Sequence, residues 1–183
     1  VNGNDMDGFT TLDLSSITPG VLGNQDNNRF RVSYHNSQPD ADTGASPLPL
    51  SYTNTMPYVE EIFVRIENIS DPVCYSTDSF ILTVNDAPEA FDVTVIQCDE
   101  DGIPEGYTVF NINQVFEDIT GGAANRDVKY YLSITDANEG INPIDGAEFN
   151  NFFNPQILYA KVTDTVNGCS SISRVTLAVS DTF

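Results

Sequence analysis

Apolar and polar positions alternate with a period of two in several short runs. Residues 29–35 put Phe30, Val32 and Tyr34 on one side and Arg29, Arg31, Ser33 and His35 on the other, the pattern of a half-buried strand. Residues 60–67 repeat it, with Ile62, Val64 and Ile66 opposite Phe63, Arg65 and Glu67, and residues 9–14 and 73–84 read as two further strands. Between these runs lie stretches rich in Pro, Gly, Asp and Asn. Ser15 or Ser16 caps a helical turn that Pro19 and Gly20 keep short, and residues 39–44 (PDADTG) make one helical turn in a long loop. After Pro88 the pattern begins again. Strands are predicted at 91–97, 107–112, 127–132, 157–164 and 173–181, with a helical turn at 113–119 and a turn at 135–143.

The two halves align residue by residue. Gly8 matches Gly106 and Leu12 matches Phe110; Val32, Tyr34, Gly44 and Pro47 match Val128, Tyr130, Gly140 and Pro143; Cys74 matches Cys169. A period of about 96 residues with many short strands and turn-rich connections predicts an all-β chain of two tandem immunoglobulin-like β-sandwich repeats joined end to end. The repeats are placed at residues 1–87 and 88–183, with the boundary at 85–90. The strand at 91–97 has no counterpart ahead of Val1. The first repeat is therefore expected to lack its opening strand, and the sequence to be cut from a longer array.

Composition narrows the function. Seven basic residues stand against 27 acidic ones, and the excess is spread over both halves. A net charge of −20 repels nucleic acid and anionic membranes and favours cations and solubility. No stretch has the length of a membrane span or the form of a signal peptide. There is no G-x-S-x-G elbow, no paired Cys or HExxH spacing around the single His35, and no acid pair that stands out as a glycosidase pair. The chain is read as not an enzyme, and His35, at a strand end, as a surface or turn hydrogen-bonding residue.

Several segments, taken in order, resemble repeats in giant surface proteins of gliding Bacteroidetes. In the first half these are Tyr34-His35, Asp40 to Leu48, Tyr52 to Pro57, Ile62 to Asn68 and Cys74. In the second they are Cys98-Asp99, Asp136 to Ile144 and Gly168-Cys169. The family is that of SprB-type gliding-motility adhesins and related cell-surface proteins exported by the type 9 secretion system. The resemblance implies an extracellular repeat on the bacterial cell surface. Its partners would be neighbouring repeats of the same chain and the substratum or a surface polysaccharide, with no nucleic acid and no direct membrane insertion. Two other readings are kept: a polysaccharide-binding module, and an accessory domain of a secreted hydrolase. Tyr52, Tyr58, Phe149, Phe152 and Phe153 lie in the long loops and are the aromatic candidates for stacking on sugars.

Two kinds of site are proposed by the residues themselves. The acidic loops, with Asp5 and Asp7 before Gly8 and with Asp99, Asp101 and Glu105 before Gly106, supply alternate oxygens of the kind Ca2+ takes. Each lacks one carboxylate of the full D-x-D-x-D-G pattern, and the competing reading is a polar turn whose acids cap backbone amides. The cysteines give the other. Repeat register predicts a disulfide between Cys98 and Cys169, tying the end of the 91–97 strand to the start of the last strand. The partner position of Cys74 falls at or before Val1, leaving that residue unpaired. The rival pairing, Cys74 with Cys98, would staple the repeats across their junction.

Overall fold

The computed structural model describes residues 6–99 and 105–180. The chain divides into two compact units, Val1–Asp86 and Ala87–Phe183. Unit 1 runs β1 (Thr11–Asp13), a 3-10 turn (Leu14–Ser16), α1 (Thr18–Leu22), β2 (Phe30–His35), α2 (Gln38–Thr43), β3 (Ser51–Thr53), β4 (Val59–Asn68) and β5 (Asp71–Thr83). Its main sheet is antiparallel in the order β2–β4–β5, and β1 and β3 form a separate ribbon.

Unit 2 opens with β6 (Val93–Cys98), which has no equivalent among the described residues of unit 1. It continues with β7 (Val109–Phe110), a 3-10 turn (Ile112–Val115), α3 (Phe116–Thr120), β8 (Arg126–Tyr131), α4 (Ile134–Glu139), β9 (Phe149–Asn150), β10 (Gln156–Asp164) and β11 (Ser170–Ser180). The main sheet is ordered β6–β11–β10–β8. Its pairs are antiparallel except β6–β11, which is parallel, with Val93 beside Val175 and Cys98 beside Ser180. A two-residue ribbon, β7–β9, stands apart.

This corrects the all-β expectation. Among the described residues, four short α-helices and several sheets, one of mixed direction, make a mixed α/β fold and not a pair of immunoglobulin-like sandwiches. The opposing layer of each unit is a minimal ribbon plus helical turns. Local chemistry explains the helices. Ser37 and Ser133 cap α2 and α4, each accepting the amide of the Asp three residues on and donating its hydroxyl to that Asp carboxylate. Gly44 and Gly140 close the same helices at φ +70° and +71°, a conformation glycine adopts without steric cost. A cation from the sheet then meets each open C-terminus. Arg65 donates to the carbonyls of Ala41 and Asp42 at 3.0 and 2.9 Å, and Lys161 to that of Asn138 at 3.2 Å.

The inward faces follow the period-two reading. Tyr34, Ile62 and Val64 are buried in unit 1, and Leu158, Ala160, Val162, Val175 and Leu177 in unit 2. Burial pushes the Tyr130 hydroxyl up to about 12. His35 is wholly buried, not at the surface. Its Nδ1 lies 2.7 Å from the Ala45 carbonyl, which can only accept, so Nδ1 carries the proton and Nε2 accepts from Ser33 at 2.9 Å. Arg65 is buried as well. It donates to Glu67 at 2.7 Å and lies 3.7 Å from the centre of the Tyr75 ring, and Arg31 closes on the other Glu67 oxygen. The Arg65 hydrogen bond, with Arg31 assisting, holds the Glu67 carboxyl below its ordinary value. Among the described residues no helix is long and apolar enough to cross a membrane.

Two tests address this packing. Leu158→Ala removes a wholly buried side chain of unit 2 and Ile62→Ala one of unit 1. Each is expected to cost about 2–5 kcal/mol, and each shifts only its own unit's transition in calorimetry. The pH test uses Glu67. Because its folded value is lowered, its contribution is complete above the unfolded value of 4.5 and is lost as pH falls through the folded one. Glu67→Gln therefore lowers the melting temperature of unit 1 at pH 7, and the gap to the parent closes on acidification.

Candidate functional site

The acidic loops are positioned by a pair of buried asparagines that the sequence reading did not single out. Asn54 and Asn151 are 3% and 4% exposed. Asn54 Nδ2 donates to the carbonyls of Gly8 and Met56 at 2.8 and 2.7 Å, while its Oδ1 accepts the Thr10 amide at 2.7 Å. Asn151 makes the same three bonds, to the carbonyls of Gly106 and Phe153 at 2.8 and 2.9 Å and from the Thr108 amide at 2.8 Å. One side chain thus spends all of its principal bonding capacity on fastening the acidic loop to the long loop of the same unit. The signal was present in the sequence: both asparagines stand at matching places shortly before Pro57 and Pro155. The long loop is braced again from β4 or β10. Glu60 accepts from the Thr55 amide, the Thr55 hydroxyl and the Tyr52 hydroxyl, and Gln156 accepts from the Phe152 amide.

The acids named as Ca2+ ligands fall into three groups. Asp5 and Asp101 lie outside the described residues. Asp7 Oδ1 accepts the Phe9 amide at 3.0 Å, and Asp99, only 6% exposed, accepts the Gly106 amide at 3.2 Å. These are the bonds of acids that shape a turn. Glu105 is exposed. Among the described residues no group of three or more acidic, His or Cys side chains is assembled around a common point.

The loop aromatics divide by burial. Tyr52 and Phe149 belong to the cores, at 4% and 7% exposed. Tyr58, Phe152 and Phe153 face solvent, at 42%, 55% and 70%. Tyr58 and Phe153 are each held next to the acidic loop of their unit. The Tyr58 hydroxyl donates to the Met6 carbonyl, and a Cβ on Gly8 would meet the Tyr58 ring at 2.9 Å. In unit 2 the Asn151 clamp ties Phe153 to Gly106, and Asn154 bonds both the amide and the carbonyl of Val179 at the end of β11.

The predicted Cys98–Cys169 disulfide is ruled out by topology. Cys98 pairs with Ser180, at the last residue of β11, whereas Cys169 immediately precedes its first. At about 3.3 Å per residue the two lie about 35 Å apart, far beyond the limit of about 7 Å between bridged Cα atoms. A bond from the end of β6 to the start of β11 needs the two strands to run antiparallel, and they run parallel. No disulfide is formed among the described residues. Cys74 is exposed in β5, its thiol 3.5 Å from the Asp71 carboxylate, and that hydrogen bond and charge push the thiol up. The cysteines of unit 2 therefore mark its two ends. Cys98 lies beside Ser180 at one end of the sheet, and Cys169 lies beyond the end at which β6 starts.

Comparison with known proteins adds a family. The model of the Flavobacterium inter-domain disulphide bond domain matches twice, over residues 2–88 and 94–182. No curated protein sequence matches the chain. Among solved structures the chain is similar to the one titled "Crystal structure of Drosophila N-cadherin EC1-4", at 11% identity and a TM-score of 0.31. That match covers 82% of this chain and 42% of the other, a likeness too weak to extend to function.

The clamps and the thiol are open to direct tests. Asn151→Ala strips three bonds from a buried position and is expected to destabilise unit 2 by about 2–3 kcal/mol, read by denaturant unfolding. Asp71→Asn removes the charge that keeps the Cys74 thiol protonated, so alkylation of Cys74 at pH 7.5 should become several-fold faster.

Proposed function

Since the chain belongs to the Flavobacterium inter-domain disulphide bond domain family, with one copy in each unit, we propose that it is a structural repeat pair from an array whose neighbouring repeats are bonded through their terminal cysteines. The array is read as the stalk of an extracellular bacterial adhesin of the SprB gliding-motility type. Its work is mechanical: repeats space a distal binding surface from the cell, and no substrate is turned over. The observation that carries the reading is the placement of Cys98 and Cys169 at opposite ends of β11. A bond within the repeat is geometrically excluded, whereas a cysteine at each end suits bonds to the repeat before and the repeat after. Such bonds persist in oxidising, extracellular compartments. The charge of −20 suits a long surface structure that must stay soluble and avoid self-association.

Peptide mapping under non-reducing conditions tests the proposal, on a fragment carrying this chain followed by a further family repeat and made in an oxidising compartment. The expected product joins Cys98 to a cysteine of the added repeat. Recovery of Cys98 as a thiol under those conditions would contradict the array.

A second reading, a polysaccharide-binding surface, is favoured by the exposed Tyr58, Phe152 and Phe153 in the long loops. It predicts retention on immobilised glycans that Phe152→Ala with Phe153→Ala weakens at least tenfold, against unchanged thermal stability.

A further inference from the structure

Among the described residues no strand pairs with the outer edge of β5, where the equivalent edge in unit 2 is covered. The pairs Ile62–Phe80 and Leu158–Val175 occupy the same place in their sheets, so Phe80 and Leu82 stand where Val175 and Leu177 stand. In unit 2 those positions have Val93 and Val95 of β6 beside them and are wholly buried. In unit 1 no described strand lies beside Phe80 and Leu82 on the side away from β4, and both are only half-buried. The deficit continues inward. Val21 and Ile66 are half-buried, while their equivalents Ile119 and Val162 are wholly buried.

A groove of about 380 Å³ occupies the space this leaves, between α1 and β5. It is lined by Gly20, Val21, Val64, Ile66 and the 76–80 stretch of β5. Unit 2 fills the same place with the start of β6. The Phe91 amide donates to the Ile119 carbonyl at 3.0 Å, Ala90 and Val93 pack on the core, and the Phe91 ring lies against Gly121 so closely that a Cβ there would meet it at 2.9 Å. Gly23 ends α1 as Gly121 ends α3, and nothing lies within 4 Å of the equivalent point.

The geometry points to a strand-acceptor site on unit 1: the groove beside β5 takes a β6-type strand, parallel to β5, from the same polypeptide on the N-terminal side of the unit. Recognition is by main-chain bonds to the open edge and by alternate apolar side chains entering the groove. A residue like Val93 sits beside Phe80, one like Val95 beside Leu82, and an aromatic like Phe91 covers Gly23. The source follows from spacing. β6 ends at Cys98, eight residues before Gly106, the counterpart of Gly8; a strand ending eight residues before Gly8 is delivered to the groove by the same connection. An uncovered edge of this kind otherwise invites pairing with other chains. The site rests on the internal repeat alone and is independent of any adhesive role.

The test extends the full chain at its N-terminus with a copy of residues 89–98 in which Cys98→Ser prevents oxidation. Amide exchange in residues 76–83 should slow by roughly tenfold or more, and the transition of unit 1 should move to higher temperature. A second extension carrying Val93→Asp and Val95→Asp in the copied segment should leave both at the values of the unextended chain. Absence of protection with the first extension, or equal protection with both, would overturn the site. Concentration-dependent dimers of the unextended chain with residues 76–83 protected would assign the groove to a second copy and overturn the proposed source.

Discussion

The parallel pairing of Val93–Cys98 with Val175–Ser180 is the constraint on which most of unit 2 depends. A sheet edge leaves a row of unpaired main-chain groups and one margin of the core open. β6 satisfies the first and fills the second. With it in place Val175, Leu177, Val162 and Ile119 lose all contact with solvent. The same strand carries Cys98 to the far end of the sheet from Cys169, so it also decides what the cysteines can do. Its direction rules out a disulfide between the two cysteines of the repeat.

Unit 1 is the natural control, because its described residues keep the rest of the plan and lack that strand. β2, β4 and β5 hold the register of β8, β10 and β11, and the capped helices α2 and α4 are nearly superimposable in their hydrogen bonding. One difference is the margin beside β5, where the groove lies. Buried polar groups compensate in part. Arg65, Glu67 and Arg31 close over β4 with Tyr75, at positions where unit 2 has Lys161 in a single helix-capping bond.

The long strands were legible because each has one buried face and a strict period of two, as at Ile62, Val64 and Ile66. The internal repeat was legible for the same reason, with glycines at left-handed positions such as Gly44 and Gly140 as its fixed points. The helices were read as single helical turns, and α4 as a plain turn: five- and six-residue segments carry too few residues for a 3.6-residue period, and α2 and α4 rest on single caps at Ser37 and Ser133. β3 and β9 were missed because two or three residues show no period at all. Strand direction was the costly omission. Alternation in FDVTVIQ says which side chains are buried and nothing about whether the strand runs with or against its neighbour. The clamping role of Asn54 and Asn151 was equally hidden, since a loop asparagine reads as polar punctuation until its three partners are in place.

The placement of the two cysteines in unit 2 is the central claim, and a distance measurement tests it most directly. With Cys74→Ser leaving Cys98 and Cys169 as the only labelling sites, spin labels on both should give a dipolar distance of about 35 Å from strand geometry. A distance below about 15 Å, or labelling blocked by a bond between the two, would mean that β6 runs the other way, and the reading of the repeat as a unit linked at its ends would fall.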